Sequence, residues 1–138
     1  ASEAEEAAAH IIATQVDEKW YDETLNSEVK GIIPVPGWAA GPYNGPVGEA
    51  IFLMIYTEYH DFVLRTANIL LEILKHDEKG AHWSEQEDIT ADGGFIVFLD
   101  ILYRRTGIRK YLDAACEAAN TIAKDALDAP NGGKFWKL

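Results

Sequence analysis

The sequence predicts an all-α protein whose helices alternate between an inner and an outer layer. Three observations carry that expectation. Two glycine-led apolar segments, "GEAIFLMIY" from Gly48 and "GFIVFLDIL" from Gly94, stand in register at an offset of 46 residues, with Phe52–Leu53 matching Phe98–Leu99. The segments between and around them are apolar on one side only. The glycines and prolines gather in the joints, as in "PVPGWAAGPYNGP".

The opening "EAEEAAAHIIATQV" predicts an outer helix, with Glu3, Glu5 and Glu6 in its first turns, where the helix dipole favours negative charge. Residues 17–47 form a polar, Gly- and Pro-rich joint. Gly48–Tyr59 is apolar on nearly every side and predicts a buried inner helix. "DFVLRTANILLEILKHDEKG" predicts a second outer helix, with Phe62, Leu64, Ala67, Leu70, Leu71 and Leu74 facing inward and Arg65, Asn68, Glu72 and Lys75 facing away. Residues 76–93 form the next joint. Gly94–Arg105 predicts the second inner helix, with a buried strand as the alternative for Gly94–Leu102, since Phe, Ile and Val also favour sheets. "RKYLDAACEAANTIAKDAL" predicts a third outer helix with an Ala-rich stripe of Tyr111, Leu112, Ala115, Ala118, Ala119, Ile122, Ala123 and Ala126. "DAPNGGKFWKL" begins a third joint.

A recurring anchor marks the joints: "GIIP" at Gly31, "GAHW" at Gly80 and "GKFW" at Gly133, at offsets of 49 and 53 residues. The repeat units span approximately residues 31–83 and 80–136, within one helical domain over 1–138 or a segment of a larger assembly.

Composition narrows the function classes. At 48% hydrophobic and 25% charged, the chain is apolar enough to bury one core. A net charge of −11 argues against nucleic acid and against an anionic membrane surface, because both need clustered Lys and Arg. No apolar run approaches the roughly 20 residues of a membrane span. The acidic, Ala-rich start reads as helix rather than as a signal peptide. The single cysteine, Cys116, rules out an intrachain disulfide and is compatible with a reducing compartment, so a cytoplasmic setting is favoured.

The alternation "GPYNGPVGEAIFLMIYTEY … ANILLEI … GAHW … DGGFIVFLDILYRRTGIRKYLDAACEAA … GGKFW" resembles the lanthionine synthetase C-like family. The points of likeness are the Y-x-G-x-x-G turn of Tyr43, Gly45 and Gly48, the "TGIRKYLDAA" link and the G-x-x-W close, over about Gly31 to Trp136. The resemblance implies an α/α toroid, a ring of six helical hairpins. In cyclase members it implies a central zinc and peptide modification, the addition of a peptide Cys thiol to a dehydrated Ser or Thr. The family's zinc ligands are two Cys and a His in late glycine-rich turns. This chain has one Cys, no Cys-His pair and no Trp-Cys-Tyr-Gly turn, so no metal ligand carries over and no cofactor is expected in it. The resemblance therefore implies a non-catalytic or incomplete portion. The alternatives are a segment of an α/α-toroid glycoside hydrolase or lyase, and a helical protein-interaction module.

Each candidate for chemistry has a structural reading beside it. Asp92, in "SEQEDITADGG", is a candidate general acid or base, or a helix cap. Asp100 interrupts an inner helix; it either pairs with Arg104 one turn on or faces a cavity. His82, inside the Gly-x-x-Trp joint, is a catalytic candidate or a capping and stacking residue. His76 neighbours Asp77 and Glu78 in a polar turn, too few ligands for zinc. Cys116, among alanines, reads as a small packing residue. Trp38, Tyr43, Trp83 and Trp136 form a candidate rim for a peptide or carbohydrate ligand, or a plug that seats each joint on its neighbour.

Two inner helices that are apolar all round leave faces that three outer helices do not cover. The expectation is therefore an incomplete ring: a segment of a longer toroid, or a chain that self-associates.

Overall fold

A computed structural model describes residues 2–13, 19–22, 27–30, 46–84 and 89–137. Those residues are mostly helical, with five α-helices and three two-stranded antiparallel hairpins. In order they are α1 (Glu3–Ala13), β1 (Lys19–Asp22), β2 (Ser27–Lys30), α2 (Pro46–Leu53), a 3-10 turn (Thr57–Tyr59), α3 (His60–Ile73), β3 (Lys75–Asp77), β4 (Gly80–His82), α4 (Ile89–Thr106), α5 (Arg109–Lys124), β5 (Leu127–Asp128) and β6 (Lys134–Phe135). Gly94–Leu102 is thus helix, and the strand alternative for it falls away.

α3 and α5 each bury one side. On α3, Phe62, Val63, Thr66, Ala67 and Leu70 are buried, while Arg65, Asn68 and Glu72 lie on the opposite, more open side. On α5 the buried stripe is Tyr111, Ala114, Ala115, Ala118 and Thr121. This is rotated from the sequence expectation, because Ala119 and Ala123 face solvent. Alanine is small enough to sit on either side, so composition alone places such a stripe poorly. The same rotation carries Cys116 outward: it is exposed and does not act as a packing residue.

α2 and α4 supply much of the core. Val47, Leu53, Phe95, Phe98, Leu99 and Leu102 are all buried, and α2 packs against α3 and α4. Leu53 and Leu99, matched in the repeat register, are both wholly enclosed. Neither helix is covered on every side. Val97 on α4 is 53% exposed, and Ile55, just past the end of α2, is 59% exposed.

Helix boundaries differ from expectation at α2 and α4. α2 stops at Leu53, and Tyr56 and the 3-10 turn lead into α3. Phe52, Tyr56 and Tyr59 stack edge to face through this corner, with centroids 5.7 and 6.0 Å apart. α4 starts at Ile89, so the helix runs through Gly93 and Gly94. Glycine costs a helix interior about 1 kcal/mol relative to alanine, and the docking of the preceding joint onto this first turn offsets that cost. The link from α4 to α5 is short because Thr106 and Gly107 cap α4. The Thr106 hydroxyl donates to the Leu102 carbonyl, and Gly107, at φ 70°, donates its N–H to the Tyr103 carbonyl at 2.7 Å.

Candidate functional site

α3 and α5 each lead into a short hairpin. After α3, Asp77 stands opposite Gly80 across the two-residue turn Glu78–Lys79. Asp at the first position of a turn and Gly at the fourth is a favoured pairing. The Asp77 carboxylate accepts the Lys79 backbone N–H at 2.9 Å, which fixes the turn. Gly80 adopts φ 119°, and a Cβ there would lie 2.4 Å from the Thr121 hydroxyl oxygen. Only glycine therefore lets β4 lie this close on α5. Across the same contact His76 pairs with Glu117 of α5 at 2.8 Å, so the partner of His76 is neither Asp77 nor Glu78.

The hairpin ends in a run of hydrogen bonds around His82, Trp83 and Ser84. His82 is 7% exposed. Its Nε2 lies 2.6 Å from an Asp77 carboxylate oxygen, and its Nδ1 lies 2.8 Å from the Ser84 carbonyl. Both partners only accept, so the imidazolium, with two N–H donors, satisfies both at once. Burial pushes the imidazole down, but the hydrogen bonds to Asp77 and Ser84 outweigh it and hold the net value above its ordinary 6.5. The same contact, with the Lys79 N–H bond, holds Asp77 below its usual 3.8.

Trp83 is buried and closes the joint in three directions. Its indole N–H donates to the Leu70 carbonyl in the last turn of α3 at 2.9 Å. Its ring meets Phe95 of α4 edge to face, 5.2 Å between centroids. Its backbone N–H donates to one Asp92 oxygen, and the Ser84 N–H donates to the other, each at 3.2 Å. Asp92 therefore does cap backbone donors, but those of the joint behind it rather than those of its own helix, because it lies within α4 and not ahead of it. Burial raises its carboxyl above the ordinary 3.8, against the lowering effect of the Ser84 and Trp83 donors.

The remaining sequence candidates are spread apart. Asp100 sits on α4 with its side chain 37% exposed and accepts from Arg104 Nε at 2.9 Å, an i,i+4 surface pair rather than a buried carboxylate. Trp136 is half-buried and donates its indole N–H to the Ile122 carbonyl of α5 at 2.8 Å. Trp38 and Tyr43 lie outside the described residues. Among the described residues no three of His, Cys, Asp and Glu are gathered as metal ligands. The donor set does not fit a thiolate zinc site of the cyclase kind: the lone Cys116 is exposed on α5, and both nitrogens of His82 are engaged.

Sequence reasoning overlooked Asp77 as the partner of His82. The signal was present in "HDEKGAH", where a D-x-x-G turn folds the carboxylate back onto the residue two past the glycine. No helix of the described residues is long and apolar enough to cross a membrane. No protein-family profile, curated protein or solved structure matches the chain.

Proposed function

We propose that this chain is a helical-hairpin segment of the α/α-toroid type, similar to the lanthionine synthetase C-like family, and that it acts as a binding and assembly element rather than as a catalyst. One observation carries this reading. The three described acid–base candidates are tied into the fold: His82 through both nitrogens, Asp92 through both oxygens, Asp100 through Arg104. The inner helices meanwhile leave Val97 and Ile55 in solvent. Burying such a side chain contributes up to about 1.5–3 kcal/mol toward self-association or toward a peptide partner.

A second reading, a segment of a carbohydrate-active toroid, rests on Asp92, a buried carboxyl with a raised pKa, as a general acid requires. It needs a second carboxylate at a set distance, and both Asp92 oxygens already accept backbone N–H groups. Sedimentation of the chain at micromolar concentration, with a screen of dehydrated peptides and oligosaccharides for turnover, separates the two. Association that weakens in Val97→Asp, without turnover, is the expected result. A monomer that binds no hydrophobic dye overturns the assembly reading, and turnover lost in Asp92→Asn establishes the enzyme.

A further inference from the structure

The joints after α3 and after α5 are built alike up to their tryptophan. Each has a short hairpin, and each indole N–H returns to a carbonyl in the last turn of the outer helix just left: Leu70 for Trp83, Ile122 for Trp136. Beyond that point they diverge. Trp83 is 8% exposed because the first turns of α4 close over it, with Asp92 on two backbone N–H groups and Phe95 on the ring. Trp136 is half-buried, Phe135 is 44% exposed and Leu127 is 37% exposed. Among the described residues no carboxylate takes the place of Asp92 at the backbone of Trp136 and Lys137.

We propose that the joint formed by residues 127–137 is a docking surface for one kind of partner: the first turns of an α-helix, other than α2 and α4, that carry a carboxylate three positions ahead of an aromatic ring. The inference rests on the repeat reading and names the partner of that unit. The chain itself shows the chemistry that fits, since α4 presents Asp92 and Phe95 at this spacing to the equivalent joint. Its own α4 is engaged at Trp83, and α2 has Pro46 and Glu49 at the matching positions, so neither described inner helix can serve. Charge agrees. Lys137 stands where the first joint has Ser84, so an incoming carboxylate meets a cation as well as two N–H donors. The ring would cover Trp136 and Phe135, removing apolar surface from water.

The test is a titration of the full chain with a peptide of residues 89–106, made soluble by added C-terminal lysines, followed by the indole N–H resonances in ¹H–¹⁵N spectra. Trp136→Phe assigns the signal that matters. The Trp136 indole and Lys137 amide signals are expected to shift and saturate, with Asp92→Asn and Phe95→Ala peptides binding about tenfold more weakly for each contact removed. No shift at Trp136, equal shifts with all three peptides, or shifts at Trp83 alone overturn the proposal. The Asp92→Asn variant of the full chain separates the levels. If it leaves the melting temperature and the Trp83 signal unchanged, the internal precedent and the repeat reading fail together. If it destabilises the chain while the peptide does not bind, only the docking fails.

Discussion

The two tryptophan joints differ in how far each is enclosed, and the difference shows how the first is made rigid. Trp83 and Trp136 make the same indole bond to the helix before them, at 2.9 and 2.8 Å. The hairpin before Trp83 packs on α5 through Gly80 and Thr121, and His82 fastens its end. The hairpin before Trp136 has Asn131 accepting the Gly133 N–H at its tip and an exposed Lys134–Asp128 pair, with open space around Gly132. A tryptophan thus marks the place of a joint, and the next helix locks it.

The largest expected contrast is between the tryptophans themselves. Trp83→Ala removes a buried ring, its Phe95 contact and the Leu70 bond, and should cost about 3–5 kcal/mol. Trp136→Ala should cost about 1–2 kcal/mol, mostly the hydrogen bond and partial burial. Urea unfolding measures both, and equal costs would break the comparison. Next come the glycines. Gly80→Ala forces a Cβ against Thr121 at positive φ and should cost about 2–4 kcal/mol. Gly132→Ala meets open space and carries only the cost of its φ of 85°, about 1 kcal/mol. Adding Thr121→Ala to Gly80→Ala should recover the steric part and leave the backbone part.

A smaller effect distinguishes the joints by pH. The folded pKa of His82 is raised, so its contribution to stability is fully present below 6.5 and is lost as pH rises through the raised value. The pKa of Asp77 is lowered, so its contribution is present above 3.8 and is lost as pH falls through the depressed value. The melting temperature should therefore decline as pH rises above 6.5, and His82→Gln should flatten that decline. An unchanged slope in the variant would show that His82 does not titrate with folding. The smallest expected effect is Asp100→Ala, about 0.3–0.5 kcal/mol, because its pair with Arg104 is a solvated i,i+4 contact. A much larger loss would mean that Asp100 meets something beyond Arg104.

The helices were legible because their signal is periodic and local. The paired glycine-led segments placed Leu53 and Leu99 in the core, and the polar positions of α3 pointed outward as their spacing required. The start of α4 was not legible, since Gly93–Gly94 read as a break. Only the joint folded against it, through Asp92 and Trp83, explains a helix there. The hairpins were hidden for a related reason. Strands of two to four residues carry no periodicity, and turn residues such as the D-x-x-G of β3–β4 are the local cue. The roles of the candidate residues were half legible: Asp100 with Arg104 comes directly from helical spacing, whereas His82 with Asp77 depends on a chain reversal.

The bonds of the first joint also set an order in time. His82 reaches 5 residues back to Asp77, Ser84 and Trp83 reach 8 and 9 residues forward to Asp92, and the Trp83 indole spans 13 residues to Leu70. The ties between α3 or its hairpin and α5 span far more chain, 43 residues for Tyr111 with Asn68 and 41 for Glu117 with His76. Closing a short loop costs less entropy than closing a long one. During folding, α3, its hairpin and the first turns of α4 can therefore form as one local unit, and the ties from α3 and its hairpin to α5 close later.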